Sequence, residues 1–175
     1  MANPIDTAAA KAKGMQRGME ARREGLGGVF LTLAKQHGEA GALLDRVKDD
    51  PSKRESLWPK IKIALVSHEK GELKVVFPAL ARHIELQPYV EQHAREAKQL
   101  DDMIARLDSL AIESDEWMSV FVTLAGTVVA HAAEEDTVIF PRSLQFIGAD
   151  RAKELDDAFK SVQNDVESSL KKAVH

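Results

Sequence analysis

The chain contains no cysteine. Disulfide scaffolds, thiolate catalysis, zinc ribbons and Cys-ligated iron–sulfur clusters are therefore excluded. Aromatic residues make up only 5% of the 175 positions, and only 6 Pro and 10 Gly occur. Few windows alternate β-branched and polar residues as strands do. Together these scarcities point to an all-α protein, and the length suits one domain with a sizeable core. No stretch approaches the roughly 20 consecutive apolar residues of a membrane span. The start, Met1-Ala2-Asn3-Pro4-Ile5-Asp6, lacks a charged segment followed by an apolar run. The expectation is a cytoplasmic protein without a membrane partner. A net charge of -4 gives no electrostatic reason to expect nucleic acid. Short basic clusters such as Arg22-Arg23 read as a solvated helix face. No Gly-rich phosphate loop is present, which disfavours a kinase.

What is present is a repeat. His68-x-x-x-Glu72-x-x-Val75-Val76-Phe77-Pro78 returns as His131-x-x-x-Glu135-x-x-Val138-Ile139-Phe140-Pro141. On a helix, positions i and i+4 share one face about 6 Å apart. An imidazole and a carboxylate so placed can hold a metal ion, and a second pair on a facing helix can complete the cage. His-x-x-x-Glu alone carries little weight. Its recurrence with the same downstream apolar-Phe-Pro tail is not accidental.

Taken in order, the chain predicts a helix over 5–24, weakened by Gly14 and Gly18, as an arm packed on an unidentified outer surface. A second helix spans 26–49, with His37 interrupting the apolar stripe of Leu26, Val29, Phe30, Leu33, Leu44 and Val47. Asp49-Asp50-Pro51-Ser52 ends it and offers the next cap. A third helix spans 53–76 and carries His68 and Glu72; Phe77-Pro78 kinks or ends it. His83 reads as a rim histidine. Pro88 opens a helix over 88–110 with His93 on its apolar face. Ser114 or Asp115 caps a helix over 116–140 that carries His131 and Glu135 and ends at Phe140-Pro141. After a connector with Gly148, an amphipathic helix over 150–172 serves as cover or as a homodimer surface. His175 should be frayed. The division is 1–25 arm, 26–141 bundle and 142–175 connector with C-terminal helix.

Short loops make sequential helices antiparallel neighbours, so an up-down-up-down four-helix bundle is expected. Each of His37, His68, His93 and His131 lies near the middle of its helix. Four imidazoles and the carboxylates of Glu72 and Glu135 should then converge in an apolar cavity walled by Leu33, Leu65, Leu124 and Val128. That is a nitrogen and oxygen donor set for one or two ions, suited to iron, zinc or manganese. A buried ionised Glu is costly unless paired or metal-bound.

The order H…HxxxE…H…HxxxE, with Phe-Pro after each HxxxE, resembles the hemerythrin-like family (hemerythrin HHE cation-binding domains) over about 26–141. The resemblance implies a bundle holding two iron ions with an oxo or hydroxo bridge. His37, His68, Glu72, His93, His131 and Glu135 would be the ligands, and Glu72 and Glu135 would bridge. Oxygen-carrying members have a second His four residues after the one on the third bundle helix; here that position is Ala97. Tyr89, four residues before His93, is either an additional ligand or a packed aromatic. Glu69 and Glu134 are further substitutes. The implied partner is O2, peroxide or another small ligand. A carrier, store or sensor, a peroxide- or O2-consuming enzyme, and a metal-handling or structural module all remain open.

Overall fold

A computed structural model describes residues 3–173; His175 lies outside them. The described residues form helices joined by short turns, without a strand. The helices are α1 (Pro4–Arg23), α2 (Val29–Asp49), α3 (Arg54–Gly71), α4 (Phe77–Leu80), α5 (Gln87–Ser109), α6 (Asp115–Glu134) and α7 (Phe140–Ala173). Two single π-helical turns, Glu72–Val76 and Glu135–Ile139, join α3 to α4 and α6 to α7.

Local chemistry explains most boundaries. Asn3 accepts from the Ile5 N–H ahead of Pro4 at the first turn of α1. Asp50 caps the turn at Pro51–Lys53 through the Ser52 N–H. Ser114 caps α6 through the Trp117 N–H at 3.1 Å, as its position before the helix suggests. Pro141 was expected to end its helix. Instead the chain continues helically, because the π turn before it absorbs the register change. The break falls at Gly148 (φ 77, ψ 165), in a left-handed backbone region open to glycine.

α1 packs on α2, the partner surface that the sequence left unidentified. The glycines that weaken α1 in isolation bring it close. A Cβ on Gly14 would stand 2.7 Å from the Lys35 carbonyl, and one on Gly38 would stand 2.9 Å from that of Lys13. Asp6 completes the attachment through Arg46 (2.8 Å) and Lys53 (3.1 Å).

The core falls into two apolar clusters. One gathers Phe30, Leu33, Phe77, Leu80, Phe140 and Phe159. The other gathers Leu44, Trp58, Ile61, Trp117, Phe121 and Leu124, with the Trp58 and Trp117 rings edge-on at 5.6 Å. His37, His93 and His131 lie along their helices between residues of the first cluster and residues of the second. A polar layer therefore separates the two cores. α7 covers α2 and α3, burying Ala152, Leu155 and Phe159. Within Asp115–Lys172 an 18-residue window reaches a mean hydropathy of 1.2, enough by length and composition for a membrane crossing. That corrects the expectation that no stretch comes near it. In the fold its buried side, including Phe121, Leu124 and Val128, belongs to the core.

Candidate metal centre

Six side chains from α2, α3, α5, α6 and the two π turns meet in the polar layer. They form two overlapping groups. One is His37, His68, Glu72 and Glu135; the other is Glu72, His93, His131 and Glu135. Within each group the donor atoms lie within 4.8 Å of one another. Both groups share both carboxylates, so the arrangement could hold two ions with Glu72 and Glu135 between them. All six residues singled out by spacing are thus brought together.

The π turns position the carboxylates. Each begins at a site Glu, and each closes with the Phe N–H on that Glu carbonyl: Phe77 on Glu72 and Phe140 on Glu135. One residue more per turn keeps the Glu inward and also swings the following Phe inward. Pro78 and Pro141 lack the donor that would continue the ordinary register, and π turns are frequent at functional sites. The Phe side chains then stack on the solitary histidines. Phe77 lies 3.5 Å from the His93 ring at 7°, and Phe140 lies 5.8 Å from the His37 ring at 15°. The Phe-Pro tail, read from the sequence as a mark of repetition and as a kink or end of each helix, thus also braces an imidazole on a different helix.

Glu72 and Glu135 are both 0% exposed. None of their four carboxylate oxygens has a hydrogen-bond partner, and neither does His131 Nε2. The gaps between donors are 3.3 Å for His37 Nε2 to Glu135 Oε2 and for His68 Nε2 to Glu72 Oε2. His131 Nε2 and His93 Nδ1 each lie 3.4 Å from Glu135 Oε1. Two donors each about 2.1 Å from one ion at a near-tetrahedral angle stand about this far apart. Buried charges without partners are costly, so the donor set fits a cation.

A second layer fixes the imidazoles. His37 Nδ1 donates to Asp136 Oδ1 (3.0 Å), His68 Nδ1 to Gln36 Oε1 (2.9 Å) and His131 Nδ1 to Glu96 Oε2 (2.6 Å). In the neutral tautomer each Nε2 is then left as a lone pair facing the site. His93 Nε2 stands 2.9 Å from Glu69 Oε1, out of line for a hydrogen bond. The layer extends to both ends of the chain. Arg17 of α1 donates to Asp136 Oδ2 at 2.7 Å, and Gln163 of α7 exchanges two hydrogen bonds with Gln36. None of Gln36, Glu96, Asp136, Arg17 and Gln163 was singled out from sequence. Asp136, next to Glu135, was the one most open to detection.

Without a cation the site holds protons. Burial alone would lower His37, but Asp136 and Glu135 push it up to about 10. Burial opposes Glu135 and Glu69 at His93 in the same way, and that group also rises to about 10. His131 is raised by Glu135, Glu72 and Glu96 against burial. Glu135 is held well below the usual carboxylate range, because His131, His37 and His93 outweigh its burial.

The remaining candidates lie outside these two groups. Tyr89 is half-buried against the Phe77 cluster and does not line the cavity beside the histidines. Glu134 accepts from Gln92 at 2.8 Å. His83 sits beside Phe146, with ring centroids 6.0 Å apart, in keeping with a rim position. Glu69 is buried and does line the cavity. Of the expected walls, Leu65 and Val128 line it and Leu33 and Leu124 do not.

Among known families, the hemerythrin HHE cation binding domain matches residues 29–143. Comparison with curated proteins and with solved structures returned no match.

Proposed function

Because the chain belongs to the hemerythrin HHE cation-binding family, we propose that it is a non-heme di-iron protein that binds O2 or a related small oxidant as a carrier, store or sensor. In this reading α2, α3, α5 and α6 are the up-down-up-down bundle, with α1 and α7 as additions at either end. His37 and His68 would hold one ion and His93 and His131 the other, with Glu72 and Glu135 available to both. Iron there would supply reversible redox chemistry toward oxygen. The chain supplies the rest. The Nδ1 hydrogen bonds orient three imidazoles, the stacked Phe rings hold two of them in place, and the apolar clusters above and below exclude bulk water.

The observation that carries the reading is the set of four unpartnered carboxylate oxygens enclosed by four imidazoles. The absence of a fifth histidine at Ala97 leaves more open coordination, which favours peroxide or O2 turnover as the second reading. The test is metal content and visible spectrum of aerobically purified protein, with His68→Ala, His131→Ala and His83→Ala beside it. About two irons per chain are expected, lost sharply in the first two variants and retained in the third. Equal iron in all three would sink the assignment. Steady peroxide consumption abolished by Glu135→Ala would favour the enzyme.

A further inference from the structure

The outer side of α6 lacks what a surface helix usually has. Solvent-facing helices carry charged residues opposite their apolar stripe, yet no Asp, Glu, Lys or Arg occurs from Trp117 to Ala133. The row turned away from the core is Ser119, Val122, Gly126, Val129 and Ala133, with Val122 47% and Val129 49% exposed. Beside it Thr123 and Thr137 donate their hydroxyls within their own helix, to the carbonyls of Ser119 (3.1 Å) and Ala133 (2.6 Å). Past the π turn the exposed side continues with Val138, Arg142 and Phe146. Contiguous apolar surface of this kind marks an interaction site. Gly126 is a second sign. A Cβ there would meet nothing within 4 Å, so no contact inside the chain asks for a glycine, unlike at Gly14 and Gly38. Glycine weakens a helix interior and is used where another backbone comes close.

We propose that this face pairs two copies of the chain, α6 against α6, antiparallel about a two-fold axis between Gly126 and Val129. The row alternates steps of three and four residues, the spacing of a helix–helix seam. About that axis Val129 of each copy lies level with Gly126 of the other, and Val122 with Ala133, so each valine meets a small residue. Charge selects the orientation. The start of α6 is acidic, with Glu113, Asp115 and Glu116. Arg142 stands over the Phe146 ring at 5.9 Å, without an ion pair among the described residues. An antiparallel pair sets Arg142 of each copy near the acidic start of the other, whereas a parallel pair sets like charges together. From Asp115 to Arg142 the helix runs about 40 Å. With a width of about 20 Å, α6 and its flanking rows, the face offers about 800 Å² per copy, the share each partner gives to a stable interface. An anionic lipid surface would be repelled by the acidic end. The C-terminal helix, the sequence's candidate for a homodimer surface, buries Leu155 and Phe159 in the fold instead.

The test is sedimentation equilibrium of the full chain across micromolar concentrations, where the mass should be twice 19.3 kDa. Gly126→Leu, for which the single chain has room, should keep helicity and metal content while weakening the dimer about tenfold or more. Arg142→Glu should weaken it several-fold, and Arg142→Glu combined with Glu116→Arg should restore it. The chain has no cysteine, so oxidised Gly126→Cys at low concentration should give a disulfide-linked dimer. Met15→Cys, equally exposed on α1, should not. A dimer that Gly126→Leu leaves unchanged would overturn the proposal. So would a monomer at every concentration, whether free or floating with phosphatidylcholine–phosphatidylglycerol vesicles, the second of which would give the face to a membrane.

Discussion

The two halves of the centre have the same donors and different backing. Each has two imidazoles and shares both carboxylates. Behind His37 and His68 stand Asp136, already neutralised by Arg17, and the uncharged Gln36. Behind His93 and His131 stand the carboxylates of Glu69 and Glu96. A carboxylate partner makes an imidazole a stronger donor than an amide does. Through the 2.6 Å bond of His131 to Glu96, the His93–His131 position is therefore the more electron-rich one. The His37–His68 position is the one built with help from outside the family-matched segment, since Arg17 and Gln163 lie beyond residues 29–143. A duplicated motif can thus place equal ligands while the surrounding chain makes them unequal.

The largest expected effect comes from removing what the halves share. Glu135 touches His37, His93 and His131, so Glu135→Ala should abolish binding at both positions, read as metal per chain. Retention of one full equivalent would show that the halves do not depend on a common carboxylate.

Proton competition ranks next. In the metal-free protein His37 and His93 are protonated at neutral pH, because their acidic neighbours raise them to about 10. A group whose folded value is raised stabilises the fold below its unfolded value, near 6.5, and loses that contribution as pH rises through about 10. Glu135, depressed, stabilises above its unfolded value, near 4.5, and loses that contribution as the solution becomes acid. Cations need the site-facing imidazole nitrogen free of its proton (Nε2 of His37 and His131, Nδ1 of His93), so their uptake should release about two to three protons at pH 7, and affinity should rise up to about tenfold per proton for each pH unit. Calorimetry in buffers of different ionisation heat measures the release. None would mean that the imidazoles are already neutral.

The smallest effects separate the two backings. Glu96→Gln should weaken the second position about tenfold or more. Gln163→Ala, one step further from the metal and outside the bundle, should weaken the first only a few-fold while shifting its spectrum. Equal effects on both positions would remove the distinction.

Much of this was legible in one dimension. The repeat, the helical period and the solitary histidines at mid-helix were enough to assemble the donor set, because ligands four residues apart on a helix obey a local rule. The cap at Ser114 and the break after Asp50 were legible for the same reason. The role of Gly14 and Gly38 was not, since a glycine that weakens an isolated helix becomes an asset only once another backbone lies against it. Pro141 misled, because proline argues for a helix end unless the preceding turn has widened.

The sequence by itself determined a helical chain, two His-x-x-x-Glu pairs and two further histidines on apolar faces. It did so because periodicity and spacing are properties of consecutive residues. Only the tertiary structure decided that Phe77 and Phe140 stack on histidines of other helices, that Arg17 and Gln163 reach the first position, and that an apolar cavity lies beside the metal centre. Those contacts join residues 16 to 127 positions apart, and no local rule relates such pairs until packing brings their side chains together.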